Sequence, residues 1–221
     1  MDFLVCERFV SINGEGRRAG ELSVFVRFKG CGLRCTYCDT AWANDPDVPA
    51  ERMTADDICA YVKSTGVENV TLTGGEPLMR PGMDELLSKL NAAGFSVEVE
   101  TNGAVDIRPY LRPGVRPDCF TLDYKLPGSG MEGAMLIKNY EAVTSSDCVK
   151  FVAGSMADLK RAAEIIERFD LTNRCTVFIS PVFGSIEPKD IVDFMAENKL
   201  NGVKLQIQLH KVIWSPETRG V

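Results

Sequence analysis

The chain has 221 residues, 45% hydrophobic and 25% charged, which is ordinary for a soluble globular protein with a core of its own. Its formal net charge is −6 and its basic residues cluster no further than pairs such as Arg17-Arg18 and Lys160-Arg161, which argues against nucleic acid and for a small-molecule substrate. No apolar run approaches the ~20 residues that span a bilayer, and M-D-F-L-V-C-E-R-F lacks a signal peptide's regions, so a cytoplasmic protein without membrane contact is expected.

In chain order, the start reads as long and irregular and contains S-I-N-G-E-G (11–16). The first strand is Leu22–Phe28, and the loop C-G-L-R-C-T-Y-C-D-T (31–40) follows it. Thr54 with Asp57 is a capping-box pair opening a helix that turns Ile58, Tyr61 and Val62 inward and stops at Gly66. The strand Asn69–Thr73 runs into T-G-G-E-P, and a helix after Pro81 carries Leu86, Leu87 and Leu90 to Gly94. The strand Ser96–Glu100 leads into E-T-N-G (100–103), and the strand Cys119–Asp123 into the loop K-L-P-G-S-G-M-E-G. A short helix near Asn139–Thr144, the strand Cys148–Val152 and a Ser155-capped helix Met156–Phe169 come next. The chain closes with the strand Cys175–Ser180, the helix Glu187–Asn198 with Ile191, Val192 and Met195 inward, and the strand Val203–Gln208.

Strand starts from residue 69 onward recur every ~23–29 residues, the length of one strand plus one crossover helix. Seven such strands in fewer residues than the ~250 of a closed eight-fold barrel predict an α/β fold, an incomplete TIM-like βα barrel in one domain over 1–221. Ligands of such sheets sit at the carboxyl ends of the strands, so the polar rim there is the candidate site, with the strand interiors expected to be poor in polar residues.

Of the eight cysteines only Cys31, Cys35 and Cys38 are organised; Cys6, Cys59, Cys119, Cys148 and Cys175 read as small buried hydrophobes. Thiolates at C-x3-C-x2-C suit an iron–sulfur cubane with one iron left open to a cofactor. A structural zinc completed by a distant cysteine, or plain crowding in a loop, are the alternatives. T-G-G-E-P and T-N-G read either as strand-ending turns or as ligand-facing backbone with nearby polar side chains.

These motifs resemble the radical S-adenosylmethionine (SAM) superfamily: the three cysteines with Tyr37 before the third, followed by a G-G-E motif at the next strand end. The resemblance implies a [4Fe–4S] cluster on Cys31, Cys35 and Cys38, with SAM chelating the open iron and yielding a 5′-deoxyadenosyl radical. It implies SAM contacts from Tyr37, Asp39, Gly74, Gly75, Glu76, Glu100, Asn102, Asp123, Lys125 and Ser180, with the Glu76 carboxylate meeting the methionyl amine. S-I-N-G-E-G, R-F-K-G-C, C-D-T, T-G-G-E-P and Q-L-H-K-V-I-W, spread from residue 11 to 214, are similar to the carboxy-deazaguanine synthase family. That resemblance implies a lyase contracting 6-carboxy-tetrahydropterin with loss of ammonia, on the route to queuosine-type nucleosides. It places substrate on Ile12, Asn13, Gly14, Glu15, Arg27, Thr73 and His210, and Mg²⁺ on Thr40. It further implies a cluster loop at 30–40, a substrate-capping segment at 209–221, a homodimer, and a reductant such as flavodoxin or ferredoxin. A glycyl-radical activase and a non-enzymatic zinc module are the competing readings.

Overall fold

A computed structural model describes all 221 residues. The chain begins with β1 (Asp2–Ile12), which returns antiparallel as β2 (Leu22–Phe28). After the cluster loop come a short edge strand β3 (Glu51–Thr54), α1 (Ala55–Thr65), β4 (Asn69–Gly74), α2 (Met83–Ala92), β5 (Ser96–Thr101) and β6 (Cys119–Tyr124). The remaining elements are α3 (Ile137–Ala142), β7 (Cys148–Ala153), α4 (Met156–Arg168), α5 (Leu171–Arg174), β8 (Thr176–Pro181), α6 (Pro188–Glu197), β9 (Val203–Leu205) and α7 (Leu209–Ile213). One sheet orders them β3-β1-β2-β4-β5-β6-β7-β8-β9, parallel from β2 onward, which is the incomplete barrel. No helix is long and apolar enough to cross a membrane.

Period-two alternation along the parallel strands makes the two faces of this sheet opposite in character. One set of residues is aliphatic or aromatic and fully buried in the main core: Val24 and Val26, Val70 and Leu72, Val97 and Val99, Phe120 and Leu122, Val149 and Phe151, Val177 and Ile179. Removing each from water contributes roughly 1.5–3 kcal/mol. α1, α2, α4 and α6 supply partners such as Ile58, Leu86, Leu90, Leu159, Ile165, Ile191 and Phe194. The α1 capping box forms as the Thr54–Asp57 pair requires, with Asp57 N donating to Thr54 Oγ1 at 3.1 Å and Thr54 N to Asp57 Oδ2 at 2.8 Å.

The alternate set is polar, contrary to the expectation of strand interiors poor in polar residues. Ser23 meets Thr71 at 2.8 Å, Glu98 and Cys148 both meet Thr121, and Glu15 meets Lys150 at 3.0 Å. Single polar residues inside otherwise apolar runs carry this face, so a count over each strand dilutes them.

Three further expectations change. The start is ordered as the 11-residue strand β1, whose register slips between Val5 and Glu7; that bulge breaks the alternation by which a strand is recognised. In α6 the inward position belongs to Phe194, while Val192 is 47% exposed. The last strand ends at Leu205, and His210 lies on α7 rather than near a strand end.

Residues 13–16 leave β1 and enter the barrel. Asn13 Nδ2 donates to Glu98 Oε2 at 2.7 Å and lies 3.3 Å from Thr71 Oγ1. Gly16 exchanges two hydrogen bonds with the Gln206 side chain just past β9, at 2.8 and 2.9 Å, and Leu209 N donates to Gly14 O at 3.1 Å. The segment is the floor of the cavity above it, and it ties the β1–β2 turn to the far end of the open sheet.

Glu98 lies under that floor, 1% exposed, and burial together with the Glu100 charge pushes its carboxyl up to about 7 from an ordinary 4.5. Between those values the folded chain holds a proton that the unfolded chain has released. The associated stability is therefore full below pH 4.5 and lost as pH rises through 7. Glu98→Gln is expected to flatten the fall of the thermal midpoint between pH 5 and 8 and to melt above wild type at pH 8. An unchanged slope in a pH series of melting curves refutes the assignment.

Candidate active site

A cavity of about 330 Å³ opens at the carboxyl ends of the strands. The cluster loop, the ends of β4 to β7, the floor residues 12–15, α7 and residues 216–221 line it. Cys31, Cys35 and Cys38 all face it from one loop, half-buried and with no disulfide. Cys31 Sγ accepts from Leu33 N at 3.4 Å and from Asn102 Nδ2 at 3.2 Å. Burial pushes the Cys35 thiol up, with Lys125 opposing.

No three His, Cys, Asp or Glu side chains converge as a single metal ion requires. Three thiols on one loop suit a polynuclear cluster, because each of its irons takes one thiolate and the sulfurs need not meet at a point.

The Gly74-Gly75 pair explains how the loop reaches the strand ends. A Cβ on Gly74, at φ +133°, would lie 2.3 Å from Phe28 O; one on Gly75 would lie 2.2 Å from Gly30 O and 2.8 Å from Cys31 N. Gly75 N donates to Phe28 O at 2.9 Å and Glu76 N to Gly30 O at 3.0 Å, so backbone rests directly on backbone.

Most of the sequence-derived residues border this cavity: Tyr37, Asp39, Thr40, Thr73, Gly74, Gly75, Glu100, Asn102, Asp123 and Lys125, together with Ile12, Asn13, Gly14, Glu15, Arg27 and His210. Two do not. Glu76 is fully buried and its carboxylate bonds within the protein, accepting from Leu78 N at 3.0 Å, Thr101 Oγ1 at 2.8 Å and Asn102 N at 2.7 Å. Burial, opposed by these bonds, pushes it up to about 7. It joins the two strand ends from behind the cavity lining. Ser180 is also fully buried, with its Oγ unpartnered and outside the cavity lining, because β8 turns it below the rim.

The charged residues form pairs. Lys150 Nζ is 3.0 Å from Glu15 Oε2 and 3.5 Å from Asp123 Oδ1, while Lys125 holds Asp123 Oδ2 at 2.5 Å. Burial acts to lower the Lys150 ammonium, but Asp123, Glu15 and Glu100 outweigh it and hold it well above its ordinary value. Burial acts to raise Asp123, but the two lysines win and lower it. Glu100 accepts from Thr73 Oγ1 at 2.6 Å. Arg27 does not wait free at its strand end: its Nε lies 2.8 Å from Glu7 Oε2 on β1. Burial lowers His210, against the pull of Glu15, so its imidazole is neutral at pH 7. Tyr37 anchors its hydroxyl on Val152 O at 3.1 Å, Asp39 lies 3.4 Å from Lys211 Nζ, and Thr40 Oγ1 is 3.7 Å from Cys38 Sγ. Over the mouth, Arg219 stacks on Trp42 with its guanidinium 4.2 Å from the ring centroid.

Lys150, Glu7 and Lys211 line the cavity and were absent from the sequence-derived site. For Lys150 the signal was present: a lysine between Val149 and Phe151 in a buried strand must face a polar interior. Glu7 carried none, because its strand was unrecognised.

The Radical SAM superfamily pattern matches residues 25–112. The 7-carboxy-7-deazaguanine synthase of Clostridium acetobutylicum is 53% identical, covering 100% of both chains. That of Leptospira interrogans is 36% identical over 98% of this chain and 97% of its own. Among solved structures, QueE from Escherichia coli superposes with a TM-score of 0.70 at 19% identity, covering 94% of each chain, which bears on the fold.

Gly75→Ala is expected to force the Gly30–Cys31 backbone off the β4 end and to reduce iron bound per chain after anaerobic reconstitution by severalfold. Wild-type iron content would show that the loop does not depend on this contact.

Proposed function

The chain belongs to the 7-carboxy-7-deazaguanine synthase family of the radical SAM superfamily, and from that premise we propose how its cavity serves the family's reaction. The protein is a radical SAM lyase that converts 6-carboxy-5,6,7,8-tetrahydropterin to 7-carboxy-7-deazaguanine with loss of ammonia, in queuosine-type 7-deazapurine biosynthesis. The observation that carries the site reading is the juxtaposition, in one cavity, of three loop thiols with a buried carboxylate, Glu15, that keeps one oxygen unpartnered.

Cys31, Cys35 and Cys38 would hold the [4Fe–4S] cluster, which when reduced supplies the electron that cleaves bound SAM. The chain's own residues bind and orient. Gly74 and Gly75 let the cluster-loop backbone rest on the β4 end beside the cavity, and Asn102 donates to Cys31. Tyr37, Asp39, Glu100, Asp123 and Lys125 are the polar groups on the cofactor side. Ile12, Asn13 and Gly14 offer floor backbone to a flat ring. Glu15 would accept parallel N–H donors from the amino-pyrimidinone edge, a match of two oxygens to two hydrogens. Arg27 would lie opposite the substrate carboxylate, oriented by Glu7, with Thr73 and neutral His210 beside the ring. Thr40 would give Mg²⁺ one hydroxyl oxygen, the remainder coming from substrate and water. The segment 209–221 would cap the bound substrate, supported by residues 216–221 along the cavity and by the Arg219–Trp42 stack. A cytoplasmic homodimer fed by a donor such as flavodoxin or ferredoxin completes the proposal.

Reconstituted protein is expected to form 7-carboxy-7-deazaguanine only with SAM and reductant present, and faster with Mg²⁺. Arg27→Ala is expected to lose at least about 100-fold in kcat/KM for the pterin while SAM affinity changes less than twofold. SAM cleavage without deazapurine product from wild type would sink the substrate assignment, and an active Arg27→Ala would sink the carboxylate role.

A further inference from the structure

Lys150 is a buried cation in the cavity that the proposal above leaves without a task. It enters from β7 and is 10% exposed at its side chain. It is faced by Glu15 on the floor, Glu100 on β5, Asp123 on β6 with Lys125 just past that strand, His210 on α7 and Asp39 on the cluster loop. Its two close partners differ in what else holds them. Asp123 has a second cation, Lys125, at 2.5 Å. The Glu15 side chain makes one hydrogen bond, from Lys150 to Oε2, and its Oε1 is buried without a partner. A carboxylate pinned at one oxygen by a single donor keeps that oxygen's second lone pair and both lone pairs of the other oxygen for a ligand. The bond from Lys150 restrains Oε2 before the ligand arrives.

We infer that Lys150 is a positioning residue of the substrate pocket, setting the orientation and charge of Glu15 so that this carboxylate receives the paired N–H groups of an amino-pyrimidinone ring. This rests on the reading of Glu15 as a substrate contact. The ammonium also lets an ionised Glu15 stay in a closed site, where an uncompensated carboxylate is costly. Asp123 keeps Lys125, Glu100 keeps its bond from Thr73 Oγ1 and Asp39 keeps Lys211, so among the carboxylates around Lys150 only Glu15 loses its sole partner when Lys150 is removed.

The test is a double-mutant cycle read by equilibrium binding of 7-carboxy-7-deazaguanine, which carries the same ring edge, to cluster-loaded protein. Lys150→Met is expected to weaken product binding at least about tenfold with SAM affinity within twofold of wild type. Glu15→Gln is expected to weaken it comparably, and Lys150→Met/Glu15→Gln to bind no more weakly than Glu15→Gln alone. Additive losses overturn the inference, as does a Lys150→Met protein that loses product and SAM affinity together. Where Lys150→Met fails to fold because Glu15 is left uncompensated, the comparison of Glu15→Gln with the double variant, which removes both charges, still decides. Wild-type binding by Glu15→Gln sinks the underlying reading of Glu15, whereas weak binding by Glu15→Gln with normal binding by Lys150→Met sinks the Lys150 inference alone.

Discussion

Charge held inside a barrel is the constraint on which the rest of the structure depends. The sheet turns its aliphatic set toward the helices, so the opposite face collects the carboxylates of Glu98, Glu100 and Asp123, to which the floor adds Glu15. An ionised group buried alone costs several kcal/mol, and the protein answers in two ways. Asp123 and Glu15 are matched with Lys125 and Lys150. Glu98, two residues before Glu100 on the same face, has no ion pair and is instead pushed up to about 7 by burial. Partner availability, not depth alone, separates a charged carboxylate from one poised to be neutral.

That division gives the barrel two storeys. At the floor and beneath it, Ser23, Thr71, Asn13, Glu98, Thr121 and Cys148 form a hydrogen-bonded layer. Above it lie the ion pairs, the three thiols and the mouth bordered by residues 216–221. The floor loop belongs to both. Asn13 commits its amide nitrogen downward, which frees Gly14 and Glu15 to face the cavity. The two hydrogen bonds between Gly16 and Gln206 hold the loop at the open side of the sheet, where a closed barrel would have had another strand.

The seven parallel strands were legible because their outward residues are strongly apolar and recur with a helix between them. The cluster loop was legible because three cysteines at fixed spacing have few other uses. β1 was not, since a bulge interrupts its alternation and its mid-strand residues Glu7 and Arg8 look like loop. β3 is a four-residue edge strand, too short for any period to register. Those two strands carry the cost for the site: without β1, Arg27 appears as a free cation at a strand end, whereas Glu7 has already engaged it. Lys150 shows a different limit. Its position was readable, but which carboxylates meet it depends on how a loop 135 residues earlier enters the barrel.

Glu76 sharpens what a motif residue is for. Glu76 N donates to Gly30 O, the Glu76 carboxylate accepts from Asn102 N, and Asn102 Nδ2 donates back to the Cys31 sulfur. The circuit closes on the residue next to the one where it began, and it links the cluster loop, the end of β4 and the end of β5 into one unit. A glutamine in place of Glu76 would turn one acceptor oxygen into an NH₂ donor facing backbone N–H groups, so the circuit is specific for a carboxylate even though that carboxylate never enters the cavity. The glycines before it act at the same seam by letting the two backbones touch. Spacing in G-G-E thus encodes the fit of one loop to two strand ends, and the ligand contacts follow from where that fit leaves the thiols.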